Sequence, residues 1–193
     1  RKAGKILSSI IEELKGSLTV GMTTRGVDAR AEALVKQYNV LPAFKGYRGF
    51  PASACISVNE GVVHGIPGGY ALKEGDIVSL DVGIIHDDYY SDTAVTVPIG
   101  RVAPETQRLL HVAQASLYKG IEQACAGRHL SDISYAVQSY VELHGFSVVR
   151  DFVGHGIGKQ LHEDPEIPNY GKPGQGPVLQ EGMVFAIEPM VNL

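Results

Sequence analysis

The chain has 193 residues, 44% apolar and 20% charged, which is enough to bury a sizeable core and typical of globular domains. Its formal net charge of −4, from 17 basic and 21 acidic residues with no basic run, argues against a nucleic-acid surface. No apolar run approaches a membrane span and no signal-peptide pattern opens the sequence, while Cys55 and Cys125 form no CxxC pair, so a reduced, cytoplasmic protein without a thiolate zinc site is expected.

Residues 2–18 carry Ala3, Ile6, Leu7, Ile10, Ile11, Leu14 and Leu18 at helical spacing, and Gly21 ends that stripe. Thr24 is a candidate cap for a second helix running to about Tyr38, with Val27, Ala31, Leu34 and Val35 inward. The run LPAFKGYRGFPASA reads as a loop, and ACISVNEGVVHG as one or two short strands around a turn at residues 59–61. EGDIVSLDVGII and YYSDTAVTV read as a hairpin. Helices are expected over 104–124 and from a Ser131 cap to about His144. SVVRDFVGHGIG begins as a strand, LHEDPEIPNYGKPGQG is loop-like with its three prolines, and MVFAIEPMV reads as a closing strand. Interleaved helices and hairpins point to an α+β fold rather than a doubly wound parallel sheet.

The hairpin contains two residues that strands disfavour, Asp81 and Asp92. With His86 and Asp87 as a two-residue turn, the two carboxylates would lie directly opposite each other and repel. Val78, Leu80, Val82 and Ile84 make one apolar face, and Gly83 on the other is expected to leave open space beside Asp81. A slipped register, a solvent-facing pair and a shared proton stay open beside a metal or catalytic pair.

Further along, His155 lies between Gly154 and Gly156 in GHGIG, which is neither GxGxxG nor a phosphate loop. His162 follows in LHEDPEIPNYG, where Glu166 rules out the HExxH spacing of zinc proteases. His64 is expected to end a strand beside a Gly and a Pro, and a surface histidine is the plain alternative for each. Glu188, inside MVFAIEPMV and before Pro189, is either an edge-strand residue facing water or a fourth unusual donor. Carboxylates plus imidazole suit Mn, Fe, Co or Zn better than a thiolate set would, and bound ions would cancel the carboxylate repulsion.

LDVG with Asp81, SDTA with Asp92, VGHGIGKQLHEDPEIPNYG with His155 and His162, and IEPM with Glu188 resemble the type I methionine aminopeptidases, in order and separation, along the whole chain. The HEDPxIPNYG run is the most specific part. The resemblance implies the pita-bread (creatinase/aminopeptidase-like) fold, a curved antiparallel sheet backed by helices, in a single catalytic domain over 1–193. It implies hydrolytic removal of the initiator methionine from nascent proteins and peptides with one or two divalent ions (Co, Fe, Mn or Zn). Asp81, Asp92, His155 and Glu188 would be metal ligands, with Asp92 bridging and Glu188 also moving protons. His162 would stabilise the tetrahedral intermediate and His64 would lie near the leaving peptide. Tyr47, Phe50, Cys55 and His64 would line the methionine pocket, tightened by Phe44. A cytoplasmic monomer without nucleic-acid or membrane partners is expected, with ribosome contact left open. The family also has a fifth ligand, a Glu on a strand that would follow Leu193, and a tryptophan in the same segment, so truncation at both ends is expected. An Xaa-Pro peptidase of the same fold and a non-catalytic binding module are the alternatives.

Overall fold

A computed structural model describes residues Arg1–Leu193. The chain divides into two compact units, residues 1–103 with 158–161, and residues 104–157 with 162–193.

In the first unit, helices α1 (Lys2–Ser17) and α2 (Thr24–Gln37) turn their apolar stripes inward: Leu7, Ile10, Leu14, Val27 and Leu34 are all essentially inaccessible. The cap of α2 is Thr23, not Thr24: the Thr23 hydroxyl accepts from Gly26 N at 3.1 Å. Thr24 is already helical, and its hydroxyl contacts Gly68 N and O at 2.8 and 3.1 Å. The strands are β1 (Leu41–Pro42), β2 (Ala54–Val58), β3 (Ile77–His86) and β4 (Tyr89–Pro98). Central β3 pairs antiparallel with β1 and β2 on one side and with β4 along its full length on the other. Val78, Leu80, Val82 and Ile84 are 0% exposed and join the side chains of α1 and α2 in one core. Burying the alternate residues of one face fixes strand register, because a one-residue slip would put that whole set in water.

The β3–β4 turn differs from the sequence expectation. Asp87 (φ 51°) and Asp88 (φ 64°) are its central residues and His86 pairs with Tyr89. Two left-handed residues give a turn whose twist matches that of the flanking strands. The hairpin therefore sits one residue along from the simplest guess, and Asp81 faces Ala94 while Asp92 faces Gly83. After β2 there is no second strand: Asn59 (φ 53°) turns the chain and donates its N–H to Ile77 O at 3.0 Å.

The second unit packs α3 (Pro104–Ile121) against α4 (Leu130–Leu143). Gly120 lets them approach, since a Cβ there would come within 2.9 Å of Val137 Cγ2. Helix α4 starts earlier than its Ser131 signal: His129 N donates to Asp132 Oδ2 at 2.9 Å as the cap, and Ser131 Oγ accepts from Gln175 N at 2.7 Å. Five short strands follow: β5 (Ser147–Val148), β6 (Gly154–Gly156), β7 (Glu163–Ile167), β8 (Phe185–Ala186) and β9 (Val191–Asn192). They form an antiparallel β7-β6-β8 sheet and a β5-β9 pair. The proline-rich run expected to be a loop thus contains strand β7, which tolerates Pro165 because it lies at the sheet edge. The closing strand expected over MVFAIEPMV is split into β8 and β9, and residues 187–190 lie between them outside any strand.

Candidate active site

The first unit supplies the two aspartates. Cys55, Asp81 and Ala94 stand side by side across β2, β3 and β4, and Gly83 and Asp92 form the next row of the same face. Asp81 and Asp92 are therefore diagonal neighbours, a relation that in antiparallel pairs spans roughly 7–8 Å. Diagonal placement relieves the repulsion a direct pair would suffer and leaves room for a third group to touch both. Both residues are half-buried.

The space beside Gly83 is not open, contrary to what its lack of a side chain suggests. A Cβ there would lie 2.5 Å from Phe44 Cε1 and 3.0 Å from Ala43 Cβ. Ala43 N donates to Gly83 O at 2.9 Å, and that bond draws residues 43–44 onto the strand. Phe44 (buried) thus packs on the carboxylate face. Cys55 is buried, and burial first, then the charges of Asp81, Asp92 and Asp28, push its thiol far above the usual cysteine range. It stays protonated, an apolar wall rather than a nucleophile. Asp28, which no sequence pattern marks, accepts from Ser53 N (2.9 Å) and Ala54 N (3.0 Å) and fixes the start of β2.

Tyr47 lies in a single 3-10 turn, Tyr47–Gly49, and Phe50 follows it; both are half-buried. Gly46 N donates to Phe50 O at 2.8 Å, closing this small loop on itself. His64 does not end a strand. It sits exposed in an irregular loop with φ 58°. Its position is set by the next residue: Gly65 N donates to Ser57 Oγ (3.1 Å) and Ile56 N donates to Gly65 O (2.8 Å). A Cβ on Gly65 would come 2.3 Å from Ile56 O, so only glycine permits that approach.

The second unit supplies His155, His162 and Glu188. The glycines flanking His155 are not there for flexibility. A Cβ on Gly154 would come 2.2 Å from Ala186 O, and one on Gly156 2.3 Å from Asp164 O. The β8 and β7 backbones close in on both sides of β6, leaving His155 6% exposed. Its Nδ1 is 2.8 Å from Gly156 O. A carbonyl can only accept, so Nδ1 carries the proton, and in the neutral ring Nε2 presents its lone pair. That Nε2 lies 3.3 Å from Glu188 Oε1. The water-facing reading of Glu188 fails: its side chain is 29% exposed and lies against the imidazole. His162 is exposed, its ring centroid 4.2 Å from that of His155 at an interplanar angle of 44°. No group of three or more His, Cys, Asp or Glu side chains gathers in this structure as a metal-holding cluster.

The profile of Metallopeptidase family M24 matches residues 1–193. A methionine aminopeptidase of Clostridium perfringens is 53% identical over 193 residues, covering 100% of this chain and 78% of that protein. The crystal structure of a methionine aminopeptidase from Thermotoga maritima, 46% identical, superposes with a TM-score of 0.96 over 98% of this chain and 77% of its own. More distantly, a prolidase from Pyrococcus furiosus shares 26% identity and a TM-score of 0.82, over 97% of this chain and 53% of the prolidase. The mixed helices and antiparallel sheets are those of the pita-bread fold, and the chain belongs to metallopeptidase family M24, among its methionine aminopeptidases.

Proposed function

We propose that the chain hydrolyses the N-terminal methionine from nascent proteins and peptides, and that Asp81, Asp92, His155 and Glu188 hold the divalent metal this requires. One observation carries the assignment: His155 Nε2 and Glu188 Oε1 face each other at 3.3 Å while Nδ1 is committed to Gly156 O. A lone pair and a carboxylate oxygen at that separation are compatible only with a cation between or beside them, either a proton or a metal. The second nitrogen tied to a backbone carbonyl is the usual arrangement of a metal-ligating histidine. The donor set also fits. Diagonal carboxylates and a neutral imidazole suit Mn, Fe, Co or Zn.

When bound, a divalent ion supplies Lewis acidity, polarising a carbonyl and acidifying water. The chain's own residues do the rest. Glu188 would accept the proton of the attacking water and pass it to the leaving amine. His162, exposed beside His155, would donate to the oxygen that develops negative charge. His64 contacts the leaving peptide. Tyr47, Phe50, Cys55 and Phe44 form an apolar wall suited to a thioether side chain. A monomer is the working unit, and the free cysteines suit a reducing cytoplasm. Ribosome-proximal action would follow from the nascent-chain substrate.

Hydrolysis of Met-Ala-Ser is expected to require added Mn or Co and to stop with a chelator. Undiminished turnover in the chelator contradicts the proposal. The prolidase likeness motivates one parallel assay: faster cleavage of Ala-Pro-Ala would favour an Xaa-Pro peptidase.

A further inference from the structure

The HEDPEIPNYG run contains a residue to which the proposed chemistry gives no role. Asn169 is 1% exposed, and its Nδ2 donates to the backbone carbonyl of Glu188 at 2.7 Å. The segment around Glu188 has little ladder support. Strand β8 ends at Ala186, β9 begins at Val191, and Pro189 has no N–H to donate. Downstream, Val149 N donates to Met190 O at 2.9 Å. Upstream, Ala186 pairs with His155 itself. Between those two anchors the main chain at residue 188 is held by a side-chain amide.

We propose that Asn169 is a positioning residue for Glu188: its amide clamps the main chain at 188 and so holds the carboxylate against His155 Nε2. The clamp acts on a backbone atom, which explains why no charge or metal-donor pattern marks it. Asn169 itself sits just beyond β7, whose Ile167 pairs with Gly154, so the clamp is referenced to the same sheet that carries His155. A ligand and the residue that aims it then share one rigid frame.

This inference rests on Glu188 being a metal ligand. The test titrates Mn into the wild-type protein, Asn169→Ala, Asn169→Asp, Glu188→Gln and the core variant Leu34→Ala by calorimetry. It is run at low temperature, where circular dichroism shows each to be folded, with metal-free melting recorded in parallel. Asn169→Asp keeps the shape and replaces the donor by an acceptor, so it serves where the alanine variant folds poorly. We expect both Asn169 variants to weaken Mn about tenfold, the scale of lost outer-sphere support, and Leu34→Ala to melt earlier with unchanged affinity. If the Asn169 variants melt earlier but bind Mn like the wild type while Glu188→Gln weakens it, the clamp is merely structural and the inference is overturned. If Glu188→Gln binds Mn as the wild type does, the ligand assignment fails and the inference falls with it.

Discussion

The β3–β4 hairpin and the β6–β8 region hold ionisable side chains in opposite ways. In the hairpin, two ten-residue strands pair without interruption and their apolar face is sealed against α1 and α2. Asp81 and Asp92 ride on the other face, in rows that the register sets. In the β6–β8 region the strands are two to five residues long, and position is set by individual contacts: Gly154 against Ala186 O, Gly156 against Asp164 O, His155 Nδ1 on Gly156 O and Asn169 on Glu188 O. A long ladder distributes the burden of placement over many bonds, whereas a short one concentrates it in a few. The second arrangement is more vulnerable to single changes.

That contrast can be broken most forcefully at the glycines. Gly156→Ala would drive a Cβ into backbone that cannot rotate away, and loss of the β6–β7 pairing with metal affinity and activity is expected. Gly83→Ala in the hairpin meets a phenyl ring, which can shift, so a cost of about 1–3 kcal/mol is expected, the range for overpacking. Urea unfolding of the two variants measures both effects, and equal losses would erase the distinction between the regions.

A smaller, pH-dependent effect sharpens the same comparison from the hairpin side. Asp76, buried just before β3, is raised by burial but lowered more by hydrogen bonds from Asn59 Nδ2, Lys73 N and Tyr70 OH, leaving its carboxyl below the usual range. A lowered folded-state value means that this stability is fully present above the unfolded value, about 4, and is lost as pH falls through the folded one. Melting of the wild type should therefore drop between about pH 7 and pH 3 by more than that of Asp76→Asn, which lacks the titrating group. An identical drop in both would remove Asp76 from the account of how β3 is anchored.

Much of this architecture is legible in the amino-acid order alone. The α1 and α2 stripes and the apolar face of β3 can be read because burial of a periodic set is the signal itself. Asp81, Asp92, His155 and Glu188 stand out individually as residues a strand or loop would not choose for stability. What cannot be read is relational. The turn at Asp87 and Asp88 rather than His86 and Asp87 depends on two left-handed residues, and it moves Asp92 from opposite Asp81 to opposite Gly83. Phe44 covering Gly83 is a contact between distant segments. Strand β7 is hidden by charges and Pro165, which an edge position allows, and Asn169 by having a backbone atom for a partner. His64 loses its expected strand, because Gly65 rather than a ladder sets its place.

The central proposal is that carboxylates from the hairpin and the His155–Glu188 pair serve one metal centre. Calorimetric titration with Mn of the wild-type protein, Asp92→Asn and Glu188→Gln tests it most directly. Saturable binding is predicted in the wild type, weakened about tenfold or more in both variants, the scale of a lost ligand or outer-sphere partner. Absence of saturable heat in the folded wild type, or a variant of either region that binds as the wild type does, would contradict it.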